Sequence, residues 1–365
     1  MSTLKYAATI LAISSLGLTM GACQPKVEDE NGSNSSLSNT RYLYAVSGGC
    51  YAGSATISTA SKTIVRYNLE TGNIDRTVYD YNSSAGDTPV AAMNFDDNYL
   101  LVLIENTSGR RLEKVSKTAM TRSTVATYPT GTWNSVARDI VPLALGGYMI
   151  PRSASMEKYS SGHSRVPTAT STFPWLNAPA GACATSTTLV TRAVELKNGK
   201  IIFSHATANQ NRVGLLPDTM NASTDCLAAQ ASPIPATAFP TAMAYITDAG
   251  GAGVGHLLVA YSSSTAGSNL VGQYTVDETA NTITPSAATN HAAFANVGVL
   301  NGVTAMTYDS TTGYVYIANG STALSNTIEK FTYSATTKTL TRVGSSSFAG
   351  ETINSRCINS LFLAN

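Results

Sequence analysis

Apolar residues recur along this chain in short runs bounded by Gly, Asn, Asp and Ser, and the runs themselves repeat. Val90-Ala-Ala-Met93-Asn-Phe95 matches Pro240-Thr-Ala-Met243-Ala-Tyr245 and Val303-Thr-Ala-Met306-Thr-Tyr308. Weaker copies are Asp139-Ile-Val141-Pro-Leu143, Arg192-Ala-Val194-Glu-Leu196 and Asn359-Ser-Leu361-Phe-Leu363. Anchored on the first apolar position, the copies start at 93, 141, 194, 243, 306 and 361, giving steps of 48, 53, 49, 63 and 55 residues. After most anchors comes a strand-like run, such as Tyr99–Ile104, Lys200–Phe203, His256–Tyr261 and Tyr314–Ile317. A more polar strand comes next, with apolar-Glu-Lys-apolar at Leu112–Val115, Met156–Tyr159 and Ile328–Phe331. A Thr-rich strand closes the unit, as in Thr121–Tyr128 and Thr339–Val343.

Four antiparallel strands per unit of about 50 residues is the pattern of propeller blades. The first two strands are the most apolar because they lie innermost and are covered on both faces. The expected fold is therefore all-β: a single β-propeller over 41–365 with six four-stranded blades, seven being the alternative. Thr63–Gly72 and Thr311–Asn319 are similar to the repeats of YVTN-type bacterial propellers, a resemblance that implies the fold and no activity.

The first unit has only three strands, Arg41–Val46, Thr63–Leu69 and Asn73–Asp80, while Ile358–Leu363 has an innermost pattern and no unit of its own. The C-terminal strand is expected to complete the first blade and remove the open edge. Antiparallel pairing then sets Leu363 near Tyr42 and Cys357 near Cys50, within reach of a disulfide. Cys183 and Cys226 are left as the second pair.

Upstream of the repeats, Lys5 precedes an apolar run from Tyr6 to Met20, then Met20-Gly-Ala-Cys23. About 15 apolar residues are too few for a mature membrane span and suit a secretory signal. The small residues before a cysteine resemble the bacterial lipobox. That resemblance implies cleavage after residue 22, lipid on Cys23, and, with Gln24 in place of Asp, sorting to the outer membrane. Residues 23–40 are polar and Ser/Asn-rich, the composition of a flexible tether. Partners expected on this basis are the membrane, through Cys23, and an envelope protein or glycan.

Lys and Arg total 23 against 22 acids, and removing the signal takes away Lys5 alone, leaving 22 against 22. A neutral body excludes a polybasic binder of nucleic acid or anionic membrane. Charged residues are 12% of the chain, half the usual share, so few side chains are available for ionic chemistry. The four histidines, His163, His205, His256 and His291, fall in separate units without metal-ligand spacing, and no nucleophile elbow occurs. No metal and no cofactor are expected. Asp96-Asp-Asn98 reads as a turn.

Connections leading into innermost strands of a propeller gather on one face around the channel. Here they carry Trp133, Arg138 and Asp139; Trp175 and Arg192; His291; and Arg356. Guanidinium forks from three blades suit an anion, and tryptophan a sugar or peptide. Alternatively, the arginines pair with Asp139, Glu195 and backbone carbonyls, and the tryptophans plug the ring. The function expected is a non-catalytic binding or scaffold module for a protein, peptide or glycan; the alternative is a lactonase-like hydrolase using the channel mouth.

Overall fold

The computed structural model describes residues 41–48, 50–52, 55–57, 61–84, 86–106, 108–129, 139–152, 155–164, 189–207, 210–216, 238–247, 252–262, 269–286, 292–293, 300, 302–320, 327–349 and 357–365. Strands β1 (Tyr42–Ser47), β2 (Cys50–Ala52), β3 (Ala55–Ile57), β4 (Thr63–Asn68) and β5 (Ile74–Asp80) open the chain. The second blade is β6 (Thr88–Asn94), β7 (Tyr99–Asn106), β8 (Gly109–Ser116) and β9 (Arg122–Pro129). The third contributes β10 (Val141–Pro142), β11 (Tyr148–Arg152) and β12 (Ser155–Tyr159), and the fourth β13 (Leu189–Glu195), β14 (Ile201–Thr207) and β15 (Gln210–Leu216). The fifth has β16 (Phe239–Ile246), β17 (Val254–Ser262), β18 (Leu270–Asp277), β19 (Thr282–Pro285) and the short β20 (Ala292–Ala293). The sixth has β21 (Val303–Asp309), β22 (Tyr314–Asn319), β23 (Thr327–Ser334) and β24 (Thr339–Arg342), and β25 (Ile358–Ala364) ends the chain.

The fold is a six-bladed β-propeller of antiparallel blades, without a helix among the described residues. Each of the six anchors falls in an innermost strand: Met93 in β6, Val141 in β10, Val194 in β13, Met243 in β16, Met306 in β21 and Leu361 in β25. The first blade has the order β25-β1-β4-β5, so the last strand closes the ring. Tyr42 stands opposite Ala364, one residue from the expected partner Leu363, and Ser47 opposite Ile358. Apolar side chains from facing blades form the cores between them, for example Leu43, Tyr316 and Leu361 between the sixth and first blades.

Inner strands run from one face of the ring, here the start face, to the other, the end face. Turns on the end face share one design. An Asn, Asp or Ser side chain accepts the next N–H groups and a left-handed residue follows four places later. Asn68 with Gly72, Asp277 with Asn281, Asp309 with Gly313, Ser334 with Lys338 and Ser116 with Met120 all follow it. Asp96 likewise accepts the N–H groups of Asn98 and Tyr99, as a turn residue does.

The glutamates of the polar third strand are buried: Glu113 is 2%, Glu157 3% and Glu329 1% exposed, so this strand is not the water-facing one that its polarity suggests. Their partners explain it. Arg122 of β9 donates to Glu113, and Arg342 of β24 donates to Glu329 at 2.7 and 3.0 Å. Both arginines sit at the same register, Arg122 opposite Val115 and Arg342 opposite Phe331. The pair latches the outer strand of two blades.

Candidate functional site

A well of about 600 Å³ runs down the middle of the ring and is lined by all six innermost strands. Its floor lies at the start face. Five innermost strands carry a β-bulge at the same place, skipping Val90, Thr191, Thr241, Thr304 and Asn359 in register. A bulge turns one peptide unit out of the ladder and re-aims its groups. Arg192, directly after one bulge, donates Nε to the Thr241 carbonyl at 2.9 Å and an Nη to those of Thr304 and Asn359 at 3.1 and 2.8 Å. One guanidinium thus caps three bulge carbonyls of three other blades. The bulge side chains add links of their own. Thr241 Oγ1 donates to the Val303 carbonyl at 2.6 Å, and Asn359 Nδ2 to the Val90 carbonyl.

Asp139 lies beside this cap. Its carboxylate accepts the Ala193 N–H at 3.0 Å. Burial raises its pKa above the ordinary value, while the Arg192 charge and the N–H groups of Ala193 and Ile140 pull the other way. Although part of its surface meets the well, protein surrounds it, and burial is the larger influence. The hairpin β2–β3 adds cover at this end, where β2 runs beside β16, β21 and β25. Gly48, just before it, packs so closely on the Pro89 carbonyl that a Cβ would meet the oxygen, so only glycine fits.

At the end face the lining residues are Asn94, Ala144, Glu195, Tyr245, Tyr308 and Leu363. Asn94 and Ala144 are exposed and Tyr308 and Leu363 partly so, so the well opens here. Glu195 accepts the Ala144 N–H and ties the third blade to the fourth; Tyr245 donates its hydroxyl to Glu278 at 2.6 Å.

Of the residues picked from sequence, the structure brings Asp139 and Arg192 together, as the floor of the well. Trp133, Arg138, Trp175, His291 and Arg356 lie outside the described residues, as do Cys23, Cys183 and Cys226. Cys357 is buried and disulfide-bonded, and its carbonyl accepts the Gly48 N–H at 3.4 Å, two residues before Cys50. Among the described residues no three His, Cys, Asp or Glu side chains group as metal ligands would. His256, 1% exposed, lies with both ring nitrogens 3.0 Å from Lys338 Nζ; burial first, then the lysine charge, push its pKa down to about 4. Sequence reasoning missed the bulge carbonyls. Their one trace in the sequence is a Thr or Asn two or three residues before the anchor in four blades: Thr191, Thr241, Thr304 and Asn359.

No protein-family model matches the chain, and no curated protein matches it. Solved structures do. The periplasmic gluconolactonase of Pseudomonas aeruginosa is similar with a TM-score of 0.53 at 10% identity, over 89% of this chain and 99% of that one. A putative 6-phosphogluconolactonase from Bacteroides uniformis gives 0.51 at 14% identity, over 84% and 82%. TolB from Acinetobacter baumannii gives 0.50 at 9% identity, over 88% and 66%. At these identities the likeness establishes a shared propeller fold.

Proposed function

We propose that this protein is a lipid-anchored propeller of the cell envelope, held by lipid on Cys23 and sorted to the outer membrane. It acts as a non-catalytic binding or scaffold module for a protein, peptide or glycan that enters the well from the end face. The observation carrying this reading is the employment of the polar groups in the well. Arg192 is spent on three carbonyls, Asp139 on the Ala193 N–H and Glu195 on the Ala144 N–H. Groups that hold the ring in this way shape a site without being free to transfer protons.

A hydrolase is the second reading. It is favoured by the lactonase names of two similar structures and by the raised pKa of Asp139, which suits a general acid. It needs a second acid or histidine converging on Asp139. A photoreactive residue placed at Asn94 or Thr307 in living cells tests the binding reading. A discrete adduct from these positions, absent from a probe at exposed Ser108, is expected. Adducts of equal pattern from both faces would defeat it.

A further inference from the structure

Six sheet edges meet in the well. Each innermost strand, β6, β10, β13, β16, β21 and β25, ends its sheet, and each touches the next around the ring. Each therefore pairs on one side only and turns its other edge to the well. An unpaired edge is a template for another strand, and proteins blunt such edges with proline, bulges, charges or a cover. In the start-face half, the bulges and the Arg192 guanidinium do this. The half nearer the mouth differs.

Alternate residues of an edge strand turn their N–H and C=O groups toward their own sheet and away from it. The N–H groups of Phe95, Leu143 and Leu196 bond inside their own blades, to the carbonyls of Tyr99, Gly147 and Lys200. The residues before them, Asn94, Pro142 and Glu195, therefore turn their backbone groups to the well, as do Ala92, Ile140 and Ala193 two places earlier. Ala193 accordingly donates its N–H to Asp139 of the third blade. Counted from the bulges, the same positions are Met306 and Tyr308 in β21 and Leu361 and Leu363 in β25.

These edges are not equally open. Pro142 has no N–H to offer, that of Ala193 is taken, and the Ala92 carbonyl accepts the Ser360 hydroxyl at 3.4 Å. No group among the described residues bonds to the well-facing backbone of Met306 or Tyr308. The flanks also favour β21. Its neighbours offer Met243 and Ala244 from β16, and Leu361 and Phe362 from β25, whereas β16 and β25 lie beside the polar Glu195 and Asn94. From bulge to mouth, Ala305–Tyr308 gives an edge about 14 Å long.

We infer that this edge accepts a partner strand: the well takes an extended peptide of about four residues, with small or apolar side chains, paired antiparallel to Ala305–Tyr308. This deepens the reading of the well as a binding site and rests on it. Antiparallel pairing is the more stable arrangement, so the carboxyl end leads into the well and the amino end stays at the mouth. Charge selects the residue left there. Among the described lining residues, Asp139 and Arg192 balance at the floor and Glu195 stands alone at the mouth, which favours a lysine and disfavours an acid.

The test is fluorescence polarisation with the purified mature chain, disulfides intact. The probe is a pool of peptides, each a lysine followed by a tetrapeptide drawn from alanine, valine, leucine and threonine, with fluorescein at the amino end. Saturable binding is expected, about tenfold weaker when glutamate replaces the lysine. A pool with fluorescein at the carboxyl end is expected not to bind, because the dye blocks the leading end. Tyr308→Pro removes the well-facing N–H at the register where β10 already carries proline, and Tyr308→Ala loses the same side chain but keeps the N–H. Tyr308→Pro is expected to bind about tenfold more weakly than Tyr308→Ala, with the two unfolding midpoints alike. Equal affinities would overturn the edge pairing, and binding of the carboxyl-labelled pool alone would overturn the orientation. No binding of either pool, with discrete adducts still formed from Asn94 or Thr307 in cells, would overturn the peptide and leave the binding module standing. Loss of the adducts as well would remove both.

Discussion

Replacing Arg192 by Met keeps the stem in the well and removes the guanidinium, which makes it a clean probe of what closes the ring. Three bonds of 2.8–3.1 Å disappear, to carbonyls on the fifth, sixth and first blades. A hydrogen bond to a charged group contributes about 1.5–3 kcal/mol net, but water in the well can replace part of it at each carbonyl. Asp139 also loses its nearest cation while remaining surrounded by protein. Breaking such a pair from one side costs about 3–5 kcal/mol in full burial, and less here because Asp139 can take up a proton. Together the loss comes to about 3 kcal/mol. With a urea slope of about 3 kcal/mol/M for a domain of this size, the midpoint falls by about 1 M. Adding Asp139→Asn to Arg192→Met is expected to recover about 1–2 kcal/mol, since the neutral amide no longer needs the cation. Equilibrium urea unfolding by tryptophan and tyrosine fluorescence, with disulfides intact, reads both. A midpoint for Arg192→Met within about 0.2 M of the parent would show that the guanidinium holds nothing, and the floor of the well would need another explanation.

Further tests probe other parts of the structure. Arg342→Ala strips Glu329, 1% exposed, of its cation and is expected to lower stability by about 3 kcal/mol; Arg342→Ala with Glu329→Met should lose less, and equal losses would show that the latch is incidental. His256, with its pKa pushed down to about 4, binds its proton more weakly folded than unfolded. Its contribution is therefore present above about pH 6.5 and is lost as pH falls toward about 4, up to about 3 kcal/mol, and a flat profile for His256→Gln over that window is the check. Non-reducing peptide mapping should join Cys357 to Cys50 and Cys183 to Cys226, the first closing a loop worth about 4–5 kcal/mol in the chain-entropy model; a Cys50–Cys183 peptide would contradict it. Cys23→Ser should move the protein out of the membrane fraction, and an unchanged distribution would refute the anchor.

Much of this architecture is legible in the sequence because an innermost strand is covered on both faces over most of its length and so carries an apolar anchor. That is why Met93, Val141, Val194, Met243, Met306 and Leu361 mark six blades, and why Ile358–Leu363 could be assigned to the first blade from 280 residues away. The buried latches were not legible. Glu113 and Glu329 look like solvated residues until Arg122 and Arg342, on the next strand, are seen at matching register. The floor of the well was half legible. Arg192 and Asp139 stood out as charged residues at the start of inner strands. Yet Arg192 reaches partners 49, 112 and 167 residues away, and those partners are carbonyls, which every residue has. A bulge that re-aims a peptide unit leaves only a recurring Thr or Asn near the anchor, which does not say where its carbonyl points, so the alternative in which the arginines pair with backbone carbonyls could not be decided from residue types.

The reading that the polar groups of the well build a binding site and not a catalytic one is tested most directly by turnover. The purified mature chain and its Asp139→Asn variant, each shown to be folded by its unfolding midpoint, are given a panel of aldonolactones and the released acid is measured at constant pH. Rates for both proteins equal to that of buffer alone are predicted. Hydrolysis by the parent above that background, lost in Asp139→Asn, would contradict the account and make Asp139 a catalytic acid.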